Sequence, residues 1–236
     1  ESLQRRMVTR EDPKSPVSEA YRMLRTNILY SKADGDVKTI LVSSPGPGEG
    51  KSTTVTNLAI TFANLGKKTL LVDVDLRRPV VHRMFGIHRD PGMTHYLSGN
   101  TDDFDSLSHK TEIENLYVVP SGISPPNPSE LLGSIRMREL IENLKKEWDV
   151  ILFDSPPIAA VTDATTMAQS LDSMVIVVKA GFTPKESFFR ALSALDKVQT
   201  PLTGVVLNSV SKANTYDSYY YYYQQDYHYY GSQETD

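Results

Sequence analysis

The sequence contains no cysteine among its 236 residues, which excludes a disulfide framework and a thiolate metal site. It has no apolar run of the roughly 18 residues that a membrane-spanning helix needs, and its N-terminus lacks the layout of a signal peptide. The 25 basic residues do not exceed the 29 acidic ones. Nucleic-acid surfaces usually carry a basic excess, so we expect no nucleic-acid partner. These absences predict a protein of a reducing compartment, the cytoplasm.

The order of apolar runs predicts an α/β fold with a mostly parallel central sheet flanked by helices, because buried strands alternate with stretches suited to helices. The predicted strands are Lys38–Ser43, Thr69–Asp73, Leu116–Val119, Val150–Asp154, Met174–Lys179 and Gly204–Asn208. The predicted helices are Ser18–Tyr30, Lys51–Leu65, Glu130–Lys146, Ala164–Ser170 and Lys185–Val198. For the third helix, Asn127 is the predicted N-cap and Pro128 the first helical residue.

The two ends of the chain differ in composition from the middle. Residues 1–17 are charged and contain two prolines, which predicts an extended N-terminal arm. Residues 213–236 contain nine tyrosines and no Lys or Arg, which predicts a disordered tyrosine-rich tail. Residues 18–212 then form a single predicted nucleotide-binding domain.

A glycine-rich segment lies between the first predicted strand and the next helix. Residues 45–53 follow the pattern of a phosphate-binding loop except at Pro45, where that pattern has glycine. In such a loop the backbone N–H groups face phosphate oxygens, Lys51 reaches the β- and γ-phosphates, and the Ser52 hydroxyl binds Mg²⁺. We therefore expect ATP and Mg²⁺ as cofactors; the alternative is an ordinary surface loop before a helix. The predicted nucleotide-binding residues are Gly46, Pro47, Gly48, Glu49, Gly50, Lys51, Ser52 and Thr53.

Three aspartates, Asp73, Asp75 and Asp154, lie where predicted strands end. Ligands of an open parallel sheet bind at the carboxyl ends of its strands, so these carboxylates should face the glycine loop. Mg²⁺ takes one or two carboxylates with water and phosphate oxygens, which predicts a metal site of Ser52, Asp75 and Asp154. Asp73 is the favoured residue for orienting or deprotonating an acceptor hydroxyl, although spacing alone does not separate these roles. Each aspartate taken alone is also compatible with a turn or a cap.

Together these motifs resemble those of the bacterial tyrosine kinases of polysaccharide export, which belong to the P-loop NTPases. The resemblance extends from about Ser15 to the tail, and it implies a protein-tyrosine kinase whose catalytic residues are Lys51, Asp73, Asp75 and Asp154. Asn208 resembles the position near the adenine base, although an asparagine that merely ends a strand is an equal alternative. The residues that carry the resemblance are Gly50-Lys51-Ser52, Asp73-Val74-Asp75-Leu76-Arg77, Ser121-Gly122, Pro125-Pro126-Asn127-Pro128, Asp154-Ser155-Pro156-Pro157 and the tyrosine cluster.

The tyrosine cluster is the first substrate that the resemblance implies. Phosphorylation of the tail would regulate polysaccharide synthesis or export, and added phosphates would introduce repulsion into an acidic segment. The alternative is an aromatic tract that binds a partner and is never modified. The predicted acceptors are Tyr216, Tyr219, Tyr220, Tyr221, Tyr222, Tyr223, Tyr227, Tyr229 and Tyr230.

The resemblance also implies a ring-shaped homo-oligomer, formed through Glu19, Arg22 and Arg25, which are spaced by three on a predicted helix. In such a ring a tail would reach the neighbouring active site at high effective concentration, so autophosphorylation would occur in trans. The alternative is a solvated helix face with an internal Glu–Arg pair. Further implied partners are a membrane activator and a cognate tyrosine phosphatase. The chain would then work at the inner face of the cell membrane, held there by the activator or by a membrane segment absent from this chain.

The nearest competing function is that of the partitioning and division-site ATPases, MinD/ParA-like switches that recruit a partner. They share the three-motif layout but carry an extra lysine where this chain has Gly46. The missing lysine and the tyrosine-rich tail favour the kinase. A non-catalytic scaffold is disfavoured by the glycine loop and the three aspartates.

Overall fold

A computed structural model describes residues 3–32, 36–158, 163–199 and 202–210. These residues form one seven-stranded sheet in the order β3-β4-β2-β5-β1-β6-β7. Every neighbouring pair is parallel except β3 with β4, which confirms the predicted mostly parallel sheet. The strands are β1 Thr39–Ser43, β2 Thr69–Asp73, β3 His109–Lys110, β4 Leu116–Val119, β5 Val150–Asp154, β6 Ser173–Lys179 and β7 Leu202–Asn208.

Helices cover both faces of the sheet and divide the apolar core into two clusters. One cluster packs α5 to α9 against the sheet, and the other packs α2 to α4 against the opposite face. With both faces covered, the central strands are continuous apolar runs, which explains why their bounds were predictable. The helices are α1 Val8–Glu11, α2 Pro16–Leu29, α3 Lys51–Asn64, α4 Val81–Phe85, α5 Met93–Leu97, α6 Pro128–Leu132, α7 Ile135–Glu147, α8 Asp163–Ala168 and α9 Lys185–Lys197.

The predicted single helix Glu130–Lys146 is wrong, because α6 and α7 are separate helices. Ser134 lies between them and caps α7, since its hydroxyl accepts a hydrogen bond from Met137 N at 3.1 Å. Asn127 does precede α6, but its side chain donates to Glu130 Oε2 at 2.8 Å and bonds no backbone N–H of the helix. A second N-cap inside an otherwise helical pattern therefore starts a new helix.

The extended conformation predicted for the N-terminal arm is wrong for residues 3–11, here called the N-terminal segment. Leu3–Arg6 is a 3-10 turn and α1 follows it. Met7 is fully buried and Thr9 nearly so, within the cluster that also contains α3. The charged composition of this stretch does not reveal that two of its side chains are buried. The boundary placed after residue 17 stays a prediction, and α2 already begins at Pro16.

A buried amide on α3, that of Asn57, holds the N-terminal segment in place. Asn57 Oδ1 accepts from Thr9 N at 3.0 Å and from Thr9 Oγ1 at 2.8 Å. Its Nδ2 donates to Arg6 O at 2.8 Å and to Thr53 O at 2.9 Å. All these polar groups are paired, so their burial is compensated by hydrogen bonds. The segment is thereby fastened to the first turns of α3.

The predicted tail, residues 213–236, lies outside the described residues. Within the part that is described, no helix is both long enough and apolar enough to span a membrane.

Candidate active site

The site forms at the carboxyl edge of the sheet, where β1, β2 and β5 lie side by side. Asp73 and Asp154 are register partners at the ends of β2 and β5, so their carboxylates start from adjacent positions. The glycine loop follows β1 and leads into α3. The structure thus brings the predicted loop and the predicted aspartates together.

Two glycines in the loop have backbone conformations that disfavour other residues. Gly48 has φ 79° and Gly50 has φ 96°, both left-handed. Gly50 is also the N-cap of α3, and a Cβ at this position would lie 2.2 Å from Asn208 Nδ2. The loop therefore delivers the N-terminus of a 14-residue helix, with its unpaired N–H groups, to the carboxyl edge of the sheet.

Lys51, the first residue of α3, points its ammonium group among the carboxylates. Its Nζ lies 2.8 Å from Asp75 Oδ2, 3.3 Å from Asp154 Oδ1 and 3.3 Å from Ser52 Oγ. Burial alone would lower the pKa of Lys51, but the charges of Asp154 and Asp75 outweigh it and raise that pKa above its usual value. The lysine is thus held in its charged form.

Asp73 has a different environment from its neighbour two residues on. Its Oδ1 accepts a hydrogen bond from Asp75 N at 3.1 Å. Its Oδ2 accepts one at 3.2 Å from the backbone N–H of Val81, the first residue of α4. Burial raises the pKa of Asp73 well above its ordinary value, the charge of Asp154 adds to the effect, and Lys51 opposes it. Asp75 thus contacts both Lys51 and the backbone N–H of Arg78, whereas the two oxygens of Asp73 accept from backbone N–H groups.

Asp154 is fully buried, and its Oδ2 has no hydrogen-bond partner among the described residues. Burial raises the pKa of this carboxyl, and the nearby Lys51 ammonium opposes the shift. Three buried carboxylates around one ammonium leave a surplus of negative charge, and an oxygen without a donor suits a cation or its water shell. No preformed cage of three acidic or histidine ligands exists within the described ranges.

Glu49, predicted only as a member of the loop, connects the loop to the end of β7. Its carboxylate is buried, and Oε1 accepts from Gly46 N at 3.0 Å. Its other carboxylate oxygen, Oε2, has no hydrogen-bond partner among the described residues. Burial raises the pKa of Glu49, and the nearby Thr183 hydroxyl opposes that shift. Its carbonyl oxygen accepts from Asn208 Nδ2 at 2.9 Å. Sequence reasoning missed Thr183, because no local pattern links a residue after β6 to the glycine loop.

Asn208 therefore has its amide engaged by protein groups. Besides the bond to Glu49, its Oδ1 accepts from Ser209 N at 2.8 Å. Of the remaining predicted loop residues, Pro47 is exposed in the loop. Ser52 and Thr53 lie in the first turn of α3. The predicted phosphoacceptor tyrosines fall outside the described residues.

The predicted assembly residues lie on α2. Arg22 Nη1 lies 2.6 Å from Glu19 Oε2, so the internal ion pair weighed as the alternative is present. Arg25 Nη1 donates to the carbonyl of Thr61 on α3 at 2.7 Å. A single chain does not test the assembly itself.

Comparison with known proteins gives consistent matches. Residues 37–205 match the family model described as an AAA domain. The chain is 40% identical over 219 residues to the tyrosine-protein kinase YwqD of Bacillus subtilis, covering 92% of each chain. It is 42% identical over 197 residues to the tyrosine-protein kinase CpsD of Streptococcus pneumoniae, covering 81% of this chain and 84% of the relative.

Solved structures agree. The chimerical protein CapA2B2 matches with a TM-score of 0.84 at 36% identity, over 88% of this chain and 91% of that one. The kinase domain of the Escherichia coli tyrosine kinase ETK matches with a TM-score of 0.84 at 28% identity, over 90% and 84%. MinD of Pyrococcus horikoshii, complexed with Mg-ADP, matches at 22% identity with a TM-score of 0.63 over 74% and 72%, which shows a shared fold alone. From the glycine loop, the strand-end aspartates and these relatives, the chain belongs to the bacterial protein-tyrosine kinases built on the P-loop nucleotide-binding fold.

Proposed function

We propose that this kinase transfers the γ-phosphoryl group of ATP to tyrosine hydroxyls, first to those of its own tail. The observation that carries the proposal is the position of Lys51, whose ammonium lies at the glycine loop between Asp75 and Asp154. This ammonium could pair with the negative charge of a bound triphosphate, and Asp75 and Asp154 would then be available to hold the waters around a bound Mg²⁺.

The cofactor would be ATP with Mg²⁺, held by residues 46–53 and by Ser52, Asp75 and Asp154. Mg²⁺, when bound with the nucleotide, neutralises charge on the phosphate oxygens. The N–H groups at the start of α3 bind the same oxygens, and Lys51 offsets charge on the transferred group. The orphaned Oδ2 of Asp154 and the surplus of carboxylates support this assignment.

Asp73 is our choice for the residue that accepts the tyrosine proton. The tyrosine oxygen bonds to the γ-phosphorus, the bond from that phosphorus to the β-phosphate oxygen breaks, and the hydroxyl proton passes to a carboxylate. Burial raises the pKa of Asp73, which increases the affinity of its carboxylate for a proton. Asp75, which pairs with Lys51, would help to hold the metal.

The partners that fit this function are further copies of the chain, a membrane activator of polysaccharide export and a tyrosine phosphatase. Assembly through Glu19, Arg22 and Arg25 would place one tail at the active site of the next subunit. Arg25 donates a hydrogen bond to the carbonyl of Thr61 on α3, the helix that starts at the phosphate loop. A neighbouring subunit that binds Arg25 would therefore contact a side chain already attached to that helix. The kinase would act at the cytoplasmic face of the cell membrane, where it would regulate polysaccharide synthesis.

The test is intact-protein mass spectrometry after incubation with ATP and Mg²⁺, comparing the wild-type chain with Lys51→Met. We expect successive mass increases of one phosphate, mapped to residues 216–230, and none in Lys51→Met. Lys146→Met, at an exposed lysine of α7, is the matched control and should match wild type. ATP hydrolysis without added phosphate, with a membrane activator supplied, would contradict the kinase proposal and favour a switch ATPase.

A further inference from the structure

An exposed aromatic ring lies directly beside the phosphate loop. Phe182, in the turn between β6 and α9, is 55% exposed. A Cβ placed on Gly48 would lie 3.9 Å from Phe182 Cζ, so the tip of the ring borders the glycine loop. Among the described residues, Phe182 belongs to neither apolar cluster of the core. Packing of the fold therefore does not account for it.

The turn that carries this ring is tightly held. Phe182 N and Thr183 N both donate to Lys179 O, at 3.1 and 3.0 Å, and Lys179 N donates to Thr183 Oγ1 at 2.8 Å. The Thr183 hydroxyl also lies close enough to the buried Glu49 carboxylate to oppose the rise of its pKa. A large apolar side chain is thus fixed in position while more than half of its surface faces solvent. Exposed side chains on a well-ordered turn near a site are typical of ligand contacts.

The surroundings favour a nucleotide base as the group that covers the ring. When the glycine loop holds phosphates, the nucleoside attached to them must lie within reach of side chains that border Gly48. Asn208, expected near the base, has its amide bonded to Glu49 and Ser209. The Lys179 ammonium lies 5.1 Å from the ring centroid of Phe182 and is a cationic neighbour of that ring. The exposed part of the ring surface can accept a flat aromatic partner.

We infer that Phe182 stacks against the base of bound ATP and supplies affinity for the nucleoside. This inference rests on the proposed binding of ATP at the glycine loop. Stacking tolerates any base, because every base presents a π-face. Phe182 therefore adds affinity for nucleotides over free phosphates and adds little discrimination between adenine and guanine.

The experiment measures the dissociation constants of two ligands, ATP and inorganic tripolyphosphate, each with Mg²⁺, for wild type and Phe182→Ala. We expect about a tenfold or greater loss of ATP affinity and no change for tripolyphosphate, in line with the usual contribution of base–aromatic stacking. Phe182→Trp should restore ATP binding and show fluorescence quenching by ATP but not by tripolyphosphate. Trp148 is the sole native tryptophan, is buried and serves as constant background.

Phe189→Ala is the matched control, because Phe189 on α9 is 63% exposed and packs beside Phe188. It should leave both dissociation constants unchanged. Equal losses of ATP and tripolyphosphate affinity in Phe182→Ala would overturn the inference and assign the ring to support of the loop. Unchanged ATP affinity would also overturn it, and the ring would then serve another surface. Failure of wild type to bind ATP would instead contradict the proposed function.

Discussion

Lys51 is surrounded by Asp75, Asp154 and, farther away, Asp73, all of them buried. Methionine at position 51 keeps the stem of the side chain but removes its charge, so the carboxylates lose their counterion. Breaking a buried ion pair in this way costs about 3 kcal/mol. We expect Lys51→Met to lower the free energy of unfolding by that order at pH 7, measured by urea denaturation.

The loss should shrink at low pH, and the sign follows from linkage. The pKa values of Asp73 and Asp154 are raised in the folded protein above the ordinary 3.8, so their ionisation lowers stability as pH rises above that value. Lys51 has a raised pKa, so its stabilising charge is present throughout this range. Removing the Lys51 charge makes ionisation of the carboxylates in the folded protein less favourable. Lys51→Met should therefore lose more free energy of unfolding at pH 7 than at pH 4. A deficit independent of pH would contradict this electrostatic account.

A second residue-scale prediction concerns Gly50. Alanine there must adopt a left-handed φ, at about 1–2 kcal/mol, and its Cβ would displace Asn208 from the Glu49 carbonyl. Gly66 also has a positive φ of 82°, but a Cβ there meets nothing within 4 Å. Chemical denaturation should therefore show a larger loss for Gly50→Ala than for Gly66→Ala. Equal losses would mean that the Asn208 contact adds nothing.

At the scale of elements, the N-terminal segment depends on one buried amide. Alanine in place of Asn57 removes the side-chain partner of the Thr9 N–H and of the Arg6 and Thr53 carbonyl groups, which costs about 3 kcal/mol. We expect that loss in the free energy of unfolding, with faster hydrogen exchange in residues 3–11. Asn143→Ala is the matched control, because Asn143 is exposed on α7 and its side chain accepts a hydrogen bond from the exposed Lys146. Equal stability of the two variants would contradict the prediction.

The same elements show what a sequence can predict. The bounds of β2, β4 and β5 follow from apolar runs, because strands buried on both faces are apolar throughout. The meeting of Asp73 and Asp154 follows from parallel strands ending at one edge. The burial of Thr9 was not predictable, because it depends on Asn57, 48 residues further along the chain. The proximity of Thr183 to Glu49 was not predictable for the same reason.

At the scale of the whole molecule, the described core is complete without the tail. All seven strands, both apolar clusters and the contacts of the site lie within residues 3–210. We therefore expect removal of residues 213–236 to leave the melting temperature and ATP affinity unchanged while abolishing autophosphorylation. Calorimetry and intact-mass measurement check the two halves of this expectation.

Four tyrosines remain in the truncated chain, and Tyr30 is 83% exposed. Tyr30→Phe in the truncated chain is the matched control. Phosphate still added to the truncated protein, but not to its Tyr30→Phe variant, would place an acceptor outside the tail and contradict the assignment of the tail as first substrate.

The attachment of the N-terminal segment also bears on how the domain could be tethered. Met7 is buried against the helix that starts at the phosphate loop, and Asn57 ties the preceding turn to Thr53, two residues after Lys51. Any polypeptide joined upstream of residue 3 would therefore be connected, through these contacts, to the helix that starts at the phosphate loop. Tension on such a tether would load the packing of Leu3 against the same apolar cluster and then the Arg6–Asn57–Thr53 connection. A pull from outside the domain would thus reach the phosphate loop through a few hydrogen bonds.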